Sequence, residues 1–448
     1  MKKLISIFLL CTSLLFPCVS CKNNIDNNHI YSGYSEYELI PEDTWSPLYM
    51  GGYSIGMEFE GVLDYQKVKA TYLNFYGDEL LMMSIDCVGL SSYYVNKIRK
   101  GIGVDFNINI SSTHTHAGID TLGLWGPIAN DGKNKDFMDL LVNSAIKAGK
   151  EAISNYKEGS LTYGQVKTED VLLDSRNPYV YDENLYQLRF IPNDESPATR
   201  MIFYGAHAEA LRGSNKLLSA DFPGYMAKVI KERTGENCIY FNGAIGGLIM
   251  TKTYDGNDLV NNMKITGEVL AEYALSIHES VLVKGHIKQK TIKFNIELEN
   301  TIFKYYGFLG ILKTTCYKNI FNGKYYMKTE TSILQISDLT FVLIPGEIFP
   351  ELVYGGSRIN EESTNENPNT ILELASNYGI DKLIIVGLCN DEIGYIVPPS
   401  DFLVNEDYPY IQDRPDSTGE NHYEETNSTG LNAAYSIYNA LEKIFKKI

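Results

Sequence analysis

DFNINISSTHTHAG, residues 105–118, is the stretch on which the reading of this chain turns. Phe106, Ile108 and Ile110 alternate with polar or small residues, the period-two signature of a strand. Side chains at i and i+2 leave a strand on the same side. His114 and His116, closing the run, would therefore aim both imidazoles at one spot. The chain has only 7 histidines in 448 residues, so two placed one apart carry weight. Two neutral imidazoles converging at a strand end suit a transition metal, zinc first. The plainer alternative is a pair of surface histidines in a loop.

Outward from that run, KATYLNFYGD and LLMMSIDCVG predict two strands separated by Gly77-Asp78. DFMDLLVNSAIKAGKEAISNY repeats its apolar residues every three or four positions, a helix. NLYQLRFIPN and TRMIFYGAHAE predict strands, the second leading to His207. DFPGYMAKVIKERTG predicts a helix stopped at Gly235, and NCIYFNGAIGG a buried strand running into glycines. A further helix (NMKITGEVLAEYALSIHESVL), β-rich stretches over 284–300 and 331–346, the strand KLIIVGLCND and a terminal helix complete the pattern. Interleaved strands and helices predict an α/β fold, with mixed, largely parallel sheets flanked by helices. Ligands in such folds lie at the carboxyl ends of strands, where His114, His116, His207 and the 387–395 loop all fall. Glu347, after Pro345-Gly346, is presented from a rigid turn, although such a glutamate is more often solvated. His29, His278 and His286 carry less weight.

The chain opens Met-Lys-Lys and continues LISIFLLCTSLLF, a basic start and an apolar core of signal-peptide length. Residues 1–20 are therefore expected to be a lipoprotein-type signal and Cys21 a lipidated cysteine. Residues 21–43, polar and Asn-rich, are expected to be a flexible tether and 44–448 the folded body. Export follows, with the chain either lipid-anchored to a bacterial envelope or secreted. The net charge of -17 argues against nucleic acid as a partner and against polybasic attachment to anionic lipid. Past the signal, Cys87, Cys238, Cys316 and Cys389 form no CxxC pair and no recognisable disulfide framework.

ISSTHTHAG, DSRNPY, HAEALRGSNKLLSADFPGY, FVLIPGE, GLCNDEIGYIVPP and HYEETNSTG occur in that order over roughly residues 45–445. In this series the chain resembles the catalytic domain of the neutral ceramidases. The resemblance implies zinc-dependent hydrolysis of an N-acyl amide, ceramide or a related N-acyl lipid, by metal-activated water. It implies His114, His207, Glu347 and Tyr395 as zinc ligands, and His116, Arg176 and Tyr423 as the catalytic shell around water and scissile carbonyl. Three departures accompany it. FNGAIGGLI stands where the family carries Gly-Asp-Val-Ser-Pro, so a serine nucleophile is absent there, and Asn242 and its glycines are left to supply backbone donors or close approach to substrate. HAGIDTLGLWGP lacks the family's Gly-Pro-Gly continuation and is expected to alter the pocket mouth. The immunoglobulin-like C-terminal domain of full-size members is not expected. The insertion FLVNEDYPYIQDRPDSTG sets Tyr423 farther from Tyr395 than in the family. Two other readings stand beside this one: a zinc amidase or esterase acting on a small non-lipid acyl substrate, and a non-catalytic surface-binding homologue.

Overall fold

A computed structural model describes residues 28–448 except Ser280, Val283 and Lys284. The expected signal over 1–20 and Cys21 lie outside the described residues. The larger sheet has nine strands: β1 (Ile30–Glu38), β2 (Lys67–Phe75), β3 (Asp78–Ile85), β4 (Asn107–Ser112), β5 (Lys157–Lys167), β6 (Asn184–Pro192), β7 (Thr199–Tyr204), β8 (Asn237–Asn242) and the short β9 (Val281–Leu282). Its order is β8-β7-β6-β5-β1-β2-β3-β4, with β9 on β5. Five strands make the second sheet: β10 (Ile287–Glu297), β11 (Thr315–Lys318), β12 (Tyr325–Ile336), β13 (Leu339–Leu343) and, beyond a short β14 (Glu347–Ile348), β15 (Leu383–Val386). A two-residue strand β16 (Tyr395–Ile396) pairs with β14.

Two expectations are corrected here. The tether predicted over 21–43 gives way at Ile30, because β1 lies between β5 and β2 in the larger sheet. IYSGYSEYE hides this strand from a hydropathy reading: Ser32 and Ser35 are buried, so polar residues occupy interior positions. The sheets are mixed, but not largely parallel. In the larger sheet only β3 with β4 and β7 with β8 run parallel, and in the second only β13 with β15. Those parallel pairs deliver the chain to the site.

The two sheets face each other across an apolar layer including Leu73, Met82, Phe190, Phe203 and Phe241 from one and Leu334, Phe341 and Val386 from the other. Helices cover both outer faces. α1 (Ser92–Ile102) and α2 (Lys135–Ser154) cover β2–β4, with Ile98, Leu141 and Ala145 packed on Ala70, Leu81 and Met83. α3 (Asp221–Thr234) and α4 (Leu259–Ser276) cover β7 and β8 through Phe222, Met226 and Leu270. On the far side, α5 (Thr301–Phe308), α6 (Pro350–Tyr354), α7 (Ile371–Ser376) and α8 (Ala433–Phe445) back the second sheet. The chain is thus a four-layer helix–sheet–sheet–helix body. Each buried Leu, Ile or Phe in these layers contributes roughly 1.5–3 kcal/mol. The helices begin and stop where local chemistry dictates. Asn134 caps α2 by accepting from the Asp136 and Phe137 amides, and Gly235 ends α3 at φ 76°.

Candidate metal centre

β4 ends at Ser112, two residues before the first histidine. Beyond it the chain is carried by the Thr113 amide donating to Ile85 O at 3.0 Å and the His114 amide donating to Cys87 O at 2.9 Å. His114 sits at φ 65°, a left-handed conformation unusual for a side chain of this size. The two imidazoles do converge, although by this turn and not by strand alternation: His116 Nε2 is 3.0 Å from His114 Nε2. His207 arrives three residues past the end of β7, its amide and Nδ1 both donating to Ile249 O. Glu347 and Tyr395 are opposite each other in the parallel β14·β16 pair.

These groups form one buried cluster. Glu347 Oε2 is 3.1 Å from His207 Nε2 and 3.3 Å from His114 Nε2. Tyr395 Oη is 3.5 Å from His207 Nε2 and 2.9 Å from Tyr423 Oη. One ligand atom from each of His114, His116 and His207 lies within 4.8 Å of the others. His114 Nδ1 donates to Val88 O, as His207 Nδ1 does to Ile249 O. With each Nδ1 spent on a carbonyl, both rings turn Nε2 toward the Glu347 carboxylate. Unprotonated, those nitrogens are acceptors facing an acceptor, an arrangement that a cation among them relieves. Imidazoles and a carboxylate are donors of the kind that hold zinc, and the Tyr395 phenol stands beside them.

The electrostatics agree. Burial pulls the His114 pKa down, but the neighbouring Glu347 carboxylate outweighs it and the net movement is upward. Burial pushes Glu347 up, yet the His114 and His207 rings hold it well below the usual carboxylate range. At His116 burial dominates, outweighing the nearby Glu209 carboxylate, and with the His114 and His207 rings it takes the pKa down to about 3, so His116 is neutral at pH 7. Behind it, Glu209 Oε1 is 3.3 Å from His116 Nδ1, while Glu209 Oε2 accepts from Tyr53 Oη at 2.6 Å. Gly52 presses on the same ring: a Cβ there would lie 2.4 Å from His116 Cγ.

A cavity of about 190 Å³ opens from this cluster. Its polar floor is His114, His116, Glu347, Tyr395 and Tyr423, and Val88, Leu122, Leu124, Trp125, Phe303 and Met327 make its apolar wall. The segment with no Gly-Pro-Gly continuation supplies Leu122, Leu124 and Trp125, its turn pinned by three amides donating to the Asp120 carboxylate. A larger cavity of about 560 Å³, lined by Tyr34, Lys69, Asp86 and Cys238, shares none of the residues of the metal-type cluster.

Six of the seven predicted site residues come together. Arg176 does not. Its guanidinium is buried behind Phe349, 5.3 Å from that ring, with every nitrogen committed: to Asp401, to Glu424 at 2.9 Å, to Glu425 and to His422 Nδ1 at 2.9 Å. Placing Arg176 beside a substrate carbonyl is therefore corrected. It fixes the turn Glu424–Asn427 that carries Tyr423, and so positions that phenol. The insertion after Tyr395 loops outward and returns, Tyr410 packing beside Phe402 and Tyr395, so Tyr423 meets Tyr395 despite the longer spacing.

Asn242 also has a different place from the one expected. It is fully buried and away from the pocket wall, with Nδ2 donating to Thr113 O at 3.0 Å and Oδ1 accepting from the Ala206 amide at 3.3 Å. One side chain thus clamps the residue before His114 to the residue before His207. The 387–394 loop adds a second clamp, the Asn390 amide donating to Ile110 O at 2.7 Å and Asn390 Oδ1 accepting from the Ile110 amide. Sequence reading missed Glu209, Tyr53 and Glu392. Glu392 lines the cavity with Oε2 unpartnered, and burial with the nearby Glu347 charge drives its pKa well up. The signal for the two glutamates was proximity to the motifs, in HAEA and NDEIGY; Tyr53 carried none. The four cysteines past residue 28 are all free thiols.

Fold and site together define a four-layer α/β protein built around a buried histidine–carboxylate–phenol cluster. Solved structures of the same architecture are neutral ceramidases. The neutral ceramidase from Pseudomonas aeruginosa matches with a TM-score of 0.69 at 15% identity, over 94% of this chain and 75% of that one. A ceramidase complexed with C2 matches with a TM-score of 0.69 at 13% identity, over 94% and 76%. No family model and no curated protein sequence matches the chain.

Proposed function

We propose that this protein is a zinc-dependent amidohydrolase that cleaves the N-acyl bond of ceramide or a closely related N-acyl lipid. The observation that carries the reading is the four-donor cluster of His114, His207, Glu347 and Tyr395, three of which line the floor of a cavity with an apolar wall. The ceramidase neighbours support the substrate class. His114, His207, Glu347 and Tyr395 would hold the metal, which when bound supplies Lewis acidity toward a carbonyl and lowers the pKa of water to about 7.

The remaining chemistry belongs to the protein's own side chains. His116 is neutral and borders the cavity, so it can take the proton of an attacking water and return it to the departing nitrogen. Glu209 would stabilise the imidazolium formed in between, as the carboxylate of a catalytic triad does. Tyr423 Oη, held 2.9 Å from Tyr395 Oη, donates to the carbonyl oxygen as it gains charge; one such donor is worth about 3 kcal/mol. Leu122, Leu124, Trp125 and Phe303 line the slot in which an acyl chain would lie and exclude water from it. Export, with Cys21 acylated or the chain secreted, belongs to the same proposal and is supported by the signal-like start of the sequence.

The test pairs His114→Ala with wild type, measuring bound zinc and release of fatty acid from N-acyl sphingosine. Wild type should carry zinc and release fatty acid, and the variant should lose both. A variant that keeps zinc and activity would overturn the assignment.

A further inference from the structure

We infer that residues 301–328 form a membrane-docking platform for anionic bilayers, set beside the mouth of the cavity. The overall charge of -17 conceals a local reversal: TIFKYYGFLGILKTTCYKNIFNGKYYMK carries Lys304, Lys313, Lys318, Lys324 and Lys328 and no acidic residue. Lys324 is paired with Glu297, and Lys304 donates to the Glu299 carbonyl. Among the described residues no carboxylate pairs with Lys313, Lys318 or Lys328, all of them exposed. The attachment that net charge argued against is therefore available locally.

The same segment bares its largest apolar side chains. Phe308 at the end of α5 is 87% exposed, and Ile320 and Phe321 at the tip of the β11–β12 hairpin are 85% and 93% exposed. Tyr305, Leu309 and Tyr317 are exposed beside them. Exposed apolar side chains are normal when scattered, but several crowded onto one short unit mark a contact surface. α5 and β11 are one unit, with Gly307 closely apposed to Cys316. Lys304 and Lys318 lie over the Tyr325 ring, which places ammonium and aromatic groups together at the surface. Basic residues interleaved with aromatics are what the boundary of an anionic bilayer takes up, each lysine near the surface giving about a five-fold gain in binding.

Continuity with the cavity gives the platform its orientation. Phe303, Leu312, Thr314 and Met327 of the same segment line the cavity with their inner faces. A bilayer seated on Phe308 and Phe321 would therefore deliver an amphiphile to an apolar wall built from the same unit. The platform goes beyond the proposed hydrolysis and does not depend on it.

Vesicles of phosphatidylcholine, alone or with phosphatidylglycerol, separate the outcomes. In the full chain, Phe321→Trp provides a fluorophore read against wild type, and brominated phosphatidylcholine quenches it only on insertion. The local readout is insensitive to any acyl anchor at Cys21. We expect quenching with vesicles containing phosphatidylglycerol, weakened at least ten-fold by high salt or by Lys313→Gln with Lys318→Gln and Lys328→Gln. Absence of quenching, or equal quenching without the anionic lipid, would overturn the inference. Phe308→Ser with Phe321→Ser should lower hydrolysis of N-acyl lipid in vesicles while sparing a short-chain soluble amide. Insertion without any hydrolysis would sink the functional reading alone, and hydrolysis without insertion the platform alone.

Discussion

Two charged clusters lie buried behind one another in this protein, and they solve the same problem differently. Around Arg176, the carboxylates of Asp401, Glu424 and Glu425 surround a guanidinium that neutralises them from inside the chain. Around Glu347, imidazole rings and a carboxylate converge with no lysine or arginine among them. One cluster carries its cation covalently; on the function proposed above, the other receives one. Removing residues should accordingly unfold the first and merely empty the second.

The largest expected effect is on catalysis. Glu347→Ala should abolish zinc binding and reduce acyl-amide hydrolysis by at least about a thousand-fold, the metal and its orientation being lost together. Its thermal midpoint in the metal-free state should stay near that of metal-free wild type. A large drop in that midpoint would mean the metal-type cluster is structural. Arg176→Met should do the reverse, leaving three buried carboxylates without their guanidinium and costing about 3–5 kcal/mol in denaturant unfolding. If stability is kept and only turnover falls, Arg176 works at the substrate after all.

Asn242→Ala tests the clamp between the two histidine-bearing strand ends. Loss of its hydrogen bonds to Thr113 and Ala206 should cost roughly 1–3 kcal/mol and weaken zinc ten- to a hundred-fold, both measurable on one preparation. An unchanged zinc affinity would show that the two histidines are held in place without this clamp.

The clusters should also respond to pH in opposite directions. Burial pushes Glu351, near Asp174, Arg176 and Asp401, up to about 8. It stays protonated when folded but ionises near 4.5 when unfolded, so its contribution is present at low pH and is lost as pH rises from about 4.5 to 8, at up to about 1.4 kcal/mol per pH unit. Glu351→Gln should flatten that part of the stability curve. In the other cluster, the raised His114 pKa means protons compete for the ring as pH falls, so zinc should dissociate on acidification. Zinc affinity that rises on acidification would break the contrast.

The sequence was informative where chemistry is local. Periodicity shows α2 and α3, and apolar runs show β2 and β3, because each buries its own face. It was silent on β1, whose buried positions past Ile30 are Ser32, Gly33 and Ser35, and on β5, where only Leu161 and Tyr163 point firmly inward. His114, His116 and His207 stood out because histidine is rare here. Glu209 and Glu392 did not, since acidic residues are common in so acidic a chain. Arg176 was singled out correctly as special, but its partners lie more than two hundred residues away, and only the fold shows that they claim every donor it has.

X-ray absorption at the zinc edge of purified protein tests the central claim most directly. The account predicts one zinc per chain, with nitrogen and oxygen neighbours at about 2.0–2.2 Å and at least two imidazoles among them. A folded protein that carries no zinc and takes up none at neutral pH would contradict it.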